Sequence, residues 1–311
     1  MKCHRPWFEF TLRFNGKAGF CLFYRGQTVP VDLSKPLDLA QIWNQPALQE
    51  ARKAIGEGDC DHAGCANCSY LKYQLTTPPY AHREMIPPFL SDRQKENWLK
   101  AIASYEAGEV RLDSFPVRYI FEFGTLCNID CIMCIQREER TRNKDLIGAE
   151  RLIEMKDYLS LADGFVIQGG EPFALPNVKA FLEFLAGDPC FSNTHLAFVT
   201  NGTLLGSFMD RLRPFRRVQL SVSLDAIGAD YEAIRRKASW ASTERNLLQF
   251  KETIAKDKPE WGINVSSVIM KSSLRHLSSY VAWCCANDIE TIFYPMIARD
   301  FSQDEDIFNH P

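Results

Sequence analysis

Val117-Arg118-Tyr119-Ile120-Phe121-Glu122-Phe123-Gly124, followed at once by Thr125-Leu126-Cys127-Asn128-Ile129-Asp130-Cys131-Ile132-Met133-Cys134, decides the reading of this chain. The first eight residues are rich in β-branched and aromatic side chains and close on glycine, as a strand does when it runs into a turn. The next ten place three thiols at x3 and x2 spacing on one loop. Five further strand-like runs follow, at 164–169, 195–200, 217–225, 262–269 and 291–296, and helical periodicities at 145–161, 176–185, 205–212, 229–255 and 273–287 separate them. Strands and helices in alternation predict a parallel sheet with right-handed crossovers. Six units fall two short of a closed eight-stranded barrel. The expected class is therefore α/β, with a partial (β/α)6 parallel barrel over residues 116–311.

Upstream the pattern changes. Residues 8–14 alternate as a strand, Asn15-Gly16 reads as a two-residue hairpin turn, and 17–24 return as the partner strand. Between 38 and 55, Leu39, Ile42, Leu48 and Ala51 recur at helical spacing, and Gly56-Glu57-Gly58 then breaks the helix ahead of Cys60, Cys65 and Cys68. Pro78-Pro79 and Pro87-Pro88 mark a linker. Beyond it, Ser91 with Gln94 predicts a capping box on a helix whose apolar face holds Trp98, Leu99, Ile102 and Tyr105. The expected organisation is a small cysteine-rich β-hairpin/helix domain over 1–76, a linker and helix over 77–115, and the barrel.

Composition narrows the function classes. With 311 residues, 36 basic against 39 acidic side chains and 46% hydrophobic content, the chain reads as an ordinary globular protein. No stretch approaches the roughly 18 to 20 uncharged apolar residues of a membrane helix, and Met1 to Pro6 leads into no apolar signal segment, so a cytoplasmic protein with no membrane partner is expected. A net charge of −3 offers no general attraction to nucleic acid. The cluster Arg211, Arg213, Arg216 and Arg217 reads as a solvated helix end. Eleven cysteines, an odd number without a signal peptide, argue for metal rather than a disulfide framework. Cys190, Cys284 and Cys285 read as buried packing, and the six histidines show no ligand spacing.

The chemistry gathers at strand ends. Thiolate is the preferred ligand of iron-sulfur clusters, and a four-iron cluster held by three protein thiolates keeps one iron open, whereas structural zinc wants four closed ligands. A zinc knuckle completed from afar, or plain buried cysteines, are the bland alternatives. Gln168-Gly169-Gly170-Glu171-Pro172 closes the second strand, Thr200-Asn201-Gly202-Thr203 the third, and Ser221-Val222-Ser223-Leu224-Asp225-Ala226 the fourth. Parallel barrels build their sites at these ends. Along the fourth strand Val218, Leu220, Val222 and Leu224 share one face and Gln219, Ser221, Ser223 and Asp225 the other, which suggests a ligand inside the barrel. Glu171 can accept from an ammonium group, and Asp225 and Glu122 are candidate catalytic proton acceptors, or else carboxylates held in structural hydrogen bonds.

The triple-cysteine loop, the Gly-Gly-Glu-Pro turn and the Ser-x-Ser-x-Asp strand, in that order, resemble the radical S-adenosylmethionine (SAM) superfamily over roughly residues 115–298. The resemblance implies that Cys127, Cys131 and Cys134 hold a [4Fe-4S] cluster whose open iron binds SAM. It implies cleavage of the sulfonium by one electron, and a 5′-deoxyadenosyl radical that abstracts hydrogen from a substrate. Gly169, Gly170 and Glu171 would meet the methionine amino group, Ser223 the ribose, Arg235 or Arg236 the carboxylate, and Met133 the adenine through its soft thioether. At the N-terminus, Cys3, Gly16-x4-Cys21, the run from Pro6-Trp7 to Leu12, Ile42-Trp43-Asn44 and Cys65-x2-Cys68 resemble the auxiliary-cluster module called twitch or SPASM. That likeness implies a second [4Fe-4S] cluster on Cys3, Cys21, Cys65 and Cys68, with Cys60 spare or an alternative ligand, and a zinc site closed by the same thiolates as the other reading. The expected enzyme oxidises or modifies a peptide side chain or a small sugar or aminocyclitol and takes electrons from a flavodoxin or ferredoxin. The competing expectation is a non-catalytic zinc-binding interaction protein on a degenerate barrel.

Overall fold

A computed structural model describes residues 3–21, 24, 26–59, 61, 64–65, 68, 82–137, 146–296 and 300–307. Cys60, Pro78-Pro79 and Asp145 lie outside the described residues. The chain divides into two compact units, one of Met1–Phe123, Leu146–Val166 and Phe184–His195, the other of Gly124–Asp145, Ile167–Glu183 and Leu196–Pro311.

In the first unit, helix α1 (Arg5–Phe8) leads directly into β1 (Glu9–Arg13), which pairs antiparallel with β2 (Lys17–Gly19), itself antiparallel to β3 (Val29–Pro30). Leu12 faces Ala18, so Phe14, Asn15 and Gly16 form a three-residue loop instead of the expected two-residue turn. Gly16 takes the left-handed conformation at φ +71°, its N–H donates to Arg13 O, and a Cβ there would stand 2.5 Å from Val31 O. A loop of this length closes with a glycine in that conformation, which is why Asn-Gly alone misplaces the turn. The other edge of β1 pairs in parallel with β4 (Arg118–Glu122), from Glu9 opposite Arg118 to Arg13 opposite Glu122. That ladder puts the hairpin and the first strand of the βα repeat in one unit, so the units do not divide at residue 116. Trp7, Phe8, Phe10 and Leu12 are all buried.

The expected helix over 38–55 is two helices, α2 (Leu39–Trp43) and α3 (Pro46–Glu57). Pro46 brings no N–H and holds Gln45 extended, at φ −60° and ψ 144°, so the helix restarts at the proline. Helix α4 (Asp92–Ala107) carries the expected capping box, with Gln94 N–H donating to the Ser91 hydroxyl and Ser91 N–H to Gln94 Oε1. The periodicity over 145–161 resolves into α5 (Ala149–Ile153) and α6 (Lys156–Leu159). Arg52 of α3 is fully buried, and it donates to the carbonyls of Pro6 at 2.8 Å, Trp43 at 2.9 Å and Val110 at 3.0 Å while lying over the Trp43 ring. Burial pushes its pKa down to about 9. One cation thus ties α1, α2 and the segment after α4 together.

β6 (Gly164–Gln168), α7 (Pro176–Gly187) and β7 (His195–Thr200) follow, near their expected places. In the second unit, α8 (Leu205–Leu212), β8 (Arg217–Ser223), β10 (Gly262–Ile269) and β11 (Glu290–Pro295) are also as expected. The order there is β11-β10-β8-β7, and β10 runs parallel to both β8 and β11. These are the parallel strands and crossover helices of the expected α/β class. Val218, Leu220 and Val222 are buried, and Gln219, Ser221 and Ser223 are half-buried on the opposite face.

The expected helix over 229–255 is interrupted. It becomes α9 (Gly228–Ile234), a two-residue β9 (Arg235–Arg236) and α10 (Trp240–Lys256). β9 pairs antiparallel with β5 (Asp130–Cys131), Cys131 opposite Arg235, and Lys237 then takes φ +70°. Backbone engaged by the cysteine loop is unavailable to a helical ladder. The last periodicity likewise splits, into α11 (Lys271–Leu274) and α12 (Leu277–Ala286). Cys284 is buried as expected, but Cys190 and Cys285 are exposed. Neighbours on a helix point about 100° apart, and here Cys284 faces the interior while Cys285 is turned to solvent. At the Pro189–Phe191 turn the phenyl ring takes the interior in place of Cys190. Arg216 pairs with Glu260 at 2.6 Å and Arg213 approaches Asp210 at 3.5 Å. No described helix is long and apolar enough to cross a membrane.

Arg52→Met should remove three charge-assisted hydrogen bonds and leave their carbonyls buried, a loss of about 2 to 4 kcal/mol. Denaturant titration of the full chain measures it, and an unchanged midpoint would contradict the role given to this side chain.

Candidate functional site

In the second unit the cysteine loop and the Gly-Gly-Glu turn are joined main chain to main chain. Gly170 N–H donates to Gly124 O at 2.9 Å and Glu171 N–H to Leu126 O at 2.8 Å. Gly169 has φ +140°, where a Cβ would stand 2.5 Å from Gly124 O, and a Cβ on Gly170 would collide with the Thr125 and Leu126 backbone. The glycine pair is what permits the approach.

Glu171 follows, wholly buried. Its Oε1 accepts from Thr200 Oγ1 at 2.7 Å and from Phe173 N–H at 3.1 Å, and its Oε2 accepts from Asn201 N–H at 2.7 Å. Burial pushes the carboxyl up to about 6, against the lowering effect of these donors and of Arg235. The Asn201 amide continues the network, donating to Asn128 Oδ1 at 3.0 Å and reaching Cys127 Sγ at 3.8 Å, while Asn128 Nδ2 donates to Thr203 Oγ1 at 2.8 Å. Thr200 and Asn201 stand in the sequence as part of a strand-end motif to which spacing assigns no role. Their polarity at that position was the available signal.

Cys131 sits on the far side of the loop. Arg235 Nη1 donates to its Sγ at 3.7 Å, Arg235 Nη2 lies 2.7 Å from Asp225 Oδ2, and Asp225 Oδ1 accepts from Val268 N–H at 2.8 Å. Asp225 is 1% exposed and Arg235 6%, and Arg235 Nε is buried with no hydrogen-bond partner among the described residues. Burial pushes the Cys131 thiol up to about 11 although Arg235 pulls it down. Burial alone would lower the Arg235 pKa, but the Asp225 and Cys131 charges hold it above its ordinary value. Asp225, expected as a proton acceptor or as a carboxylate held structurally, pairs with Arg235 and accepts from Val268 away from solvent. Glu122 belongs to the first unit, where Arg13 approaches it at 3.9 Å. Met133 is buried, Arg236 is exposed, and Ser223 ends β8 opposite Ser266.

In the first unit, burial pushes the Cys3 thiol up to about 12, with Arg5 lowering it and Cys21 raising it. Cys68 N–H donates to Cys65 O at 2.9 Å, closing the Cys-x2-Cys turn. None of the described cysteines is in a disulfide. Among the described residues no three His, Cys, Asp or Glu side chains converge closely enough to hold a single metal ion. A four-iron cluster asks for something else, one thiolate on each of several irons, so its ligands stand further apart than those of one ion. The barrel loop offers thiols alone, two of them receiving N–H donors, and the residues fit such a cluster.

Residues 121–258 match the Radical SAM superfamily, and residues 3–69 match SPASM, an iron-sulfur cluster-binding domain. Among curated proteins none matches the chain. Of solved structures, Streptococcus suis SuiB is similar at 15% identity and TM-score 0.49 over 94% of this chain and 61% of its own. SuiB bound to precursor peptide SuiA gives 16% and 0.47 over 96% and 64%. Native anSMEcpe with bound AdoMet gives 17% and 0.46 over 58% and 53%. The chain spans about three-fifths of the length of SuiB.

Gly170→Ala must push the Leu126 carbonyl aside or break the Glu171 N–H bond to it. Anaerobic reconstitution should then load less iron per chain than the wild type, at unchanged circular dichroism. Equal loading would show that the docking of turn on loop does not shape the site.

Proposed function

We propose, from the match of residues 121–258 to the Radical SAM superfamily and of residues 3–69 to the SPASM iron-sulfur cluster-binding domain, that the chain is a radical SAM enzyme in which Cys127, Cys131 and Cys134 hold the SAM-binding [4Fe-4S] cluster and Cys3, Cys21, Cys65 and Cys68 hold the second. When bound, cluster and SAM supply one-electron cleavage of the sulfonium and a 5′-deoxyadenosyl radical that takes hydrogen from the substrate. The observation that carries the reading is the docking of the Gly169-Gly170-Glu171 turn onto the cysteine loop by two main-chain hydrogen bonds.

The chain's own residues bind and orient. Gly169 and Gly170, lacking side chains, let the turn lie against the cysteine loop, which sets the turn beside the methionine end of SAM. Glu171 accepts three hydrogen bonds on two oxygens that offer about four acceptor sites, so it keeps charge and capacity for an ammonium group. Ser223 takes the ribose and Met133 the adenine. Arg235 is engaged by Asp225 and Cys131, which leaves Arg236, exposed beside it, for the SAM carboxylate. The substrate is a peptide side chain or a small sugar or aminocyclitol, the net change an oxidation or another modification, and the electron donor a flavodoxin or ferredoxin.

Replacing Cys127, Cys131 and Cys134 together by Ala should leave roughly half the iron, on the N-terminal ligands, and abolish SAM cleavage. Iron and acid-labile sulfide analysis reads the first and product chromatography the second. Protein that holds zinc without sulfide would overturn the proposal.

Glu171→Gln replaces an acceptor by an amide that faces N–H and O–H donors already in place. SAM affinity should drop about one to two orders of magnitude, from the loss of roughly 1.5 to 3 kcal/mol. Iron content should persist, since Glu171 is no ligand. Unchanged affinity by titration would remove Glu171 from the cofactor site.

A further inference from the structure

Arg235 is delivered to Cys131 at the cost of a helix. The sequence around it supports helix from 229 to 255, yet the chain leaves helical geometry at Arg235-Arg236, pairs there with Asp130-Cys131, and needs a left-handed Lys237 to resume. Ile132 N–H donates to Ile234 O at 3.0 Å and fixes the same register. The guanidinium is then shared in a defined way, Nη1 on the Cys131 sulfur and Nη2 on Asp225. Asp225 itself cannot drift, because the Val268 N–H of β10 holds its other oxygen. A buried cation with one donor on a cysteine sulfur and a buried anion behind it is an arrangement that acts on the electronics of whatever that sulfur binds.

We propose that Arg235, held by Asp225, is a positioning residue that hydrogen-bonds the Cys131 thiolate and sets the reduction potential of the cluster in the cysteine loop. The inference rests on the reading that Cys131 ligates that cluster. A donor on a ligating sulfur, and positive charge beside it, stabilise the reduced and more negative state, so they raise the potential. Asp225 works the other way, since it offsets part of the guanidinium charge. The two residues therefore carry opposite signs. Arg235→Gln should make the cluster harder to reduce, and Asp225→Asn should make it easier. A role confined to packing would move both variants in one direction or neither.

The test is an EPR-monitored redox titration of the anaerobically reconstituted full chain, with dithionite as reductant, following the signal that responds to added SAM. The expected result is a midpoint lowered in Arg235→Gln and raised in Asp225→Asn. Each shift should change the reduced-to-oxidised ratio at fixed poise about tenfold, about 59 mV for one electron. Iron content per chain is measured alongside. Midpoints that stay at the wild-type value, or that move together, overturn the inference while the cluster assignment stands. Should Arg235→Gln fail to load iron, Arg235→Lys and Asp225→Asn carry the test, and an unmoved Asp225→Asn midpoint overturns it equally. A wild type without a SAM-responsive signal sinks the reading beneath and the inference with it.

Discussion

Two main-chain hydrogen bonds, Gly170 to Gly124 and Glu171 to Leu126, govern how the site is built. They bring the turn after β6 against the cysteine loop so closely that neither Gly169 nor Gly170 tolerates a methyl group. The close approach forces the next residue inside. A buried carboxylate is costly unless hydrogen-bonded, and Glu171 meets that demand by drawing Thr200 and Asn201 from the end of β7. With its main chain held by Glu171 and its Oδ1 by Thr203, Asn201 donates from its amide to Asn128 and towards Cys127. Backbone contact thus determines side-chain chemistry two steps away.

The opposite side of the loop obeys a different constraint. Desolvating Arg235 and Asp225 together costs more than one ion pair in low dielectric reliably returns, so their burial is weak evidence for stability. What the pair contributes is position. Asp225 Oδ2 pairs with Nη2, Val268 N–H holds Oδ1, and Nη1 of the guanidinium so placed donates to the sulfur. The interrupted helix is consistent with that account, since a continuous α9–α10 would give up the β5–β9 pairing that sets Cys131 opposite Arg235.

Local periodicity made most elements legible. β7, α8 and β10 begin and end where alternation and helical spacing begin and end, and the Ser91–Gln94 capping box stands as read. The misses have long-range causes. Nothing near residue 235 announces a partner 104 residues away, and nothing in the run Glu9–Arg13 distinguishes a hairpin strand from one that also pairs in parallel with β4. Pro46 was a local signal, and its power to split the 38–55 helix outweighed an apolar spacing that continues through it. At the candidate site, residue types in motifs single out Glu171 and the three cysteines for proposal, whereas the contacts of Asn201 and the pairing of Arg235 with Asp225 depend on side-chain direction, which spacing does not carry.

The two supports of the cysteine loop differ in kind, and the difference separates their functions. On Cys127 the donor is a neutral amide whose main chain answers to Glu171, so that hydrogen bond reaches the sulfur as a dipole while the carboxylate charge acts from further off. On Cys131 the donor is a cation whose charge a carboxylate partly offsets, so changes there act through net charge, which falls off more slowly with distance than a dipole field. Yet the sides are not wholly independent, since the Arg235 charge also lowers the Glu171 pKa. Changes on the two sides should therefore add only approximately, because additivity weakens between groups that share an electrostatic environment. On the proposed reading the Glu171 side receives a ligand's ammonium group and the Arg235 side sets how much negative charge the loop sustains, and the Arg235 charge, which also acts on Glu171, couples the two.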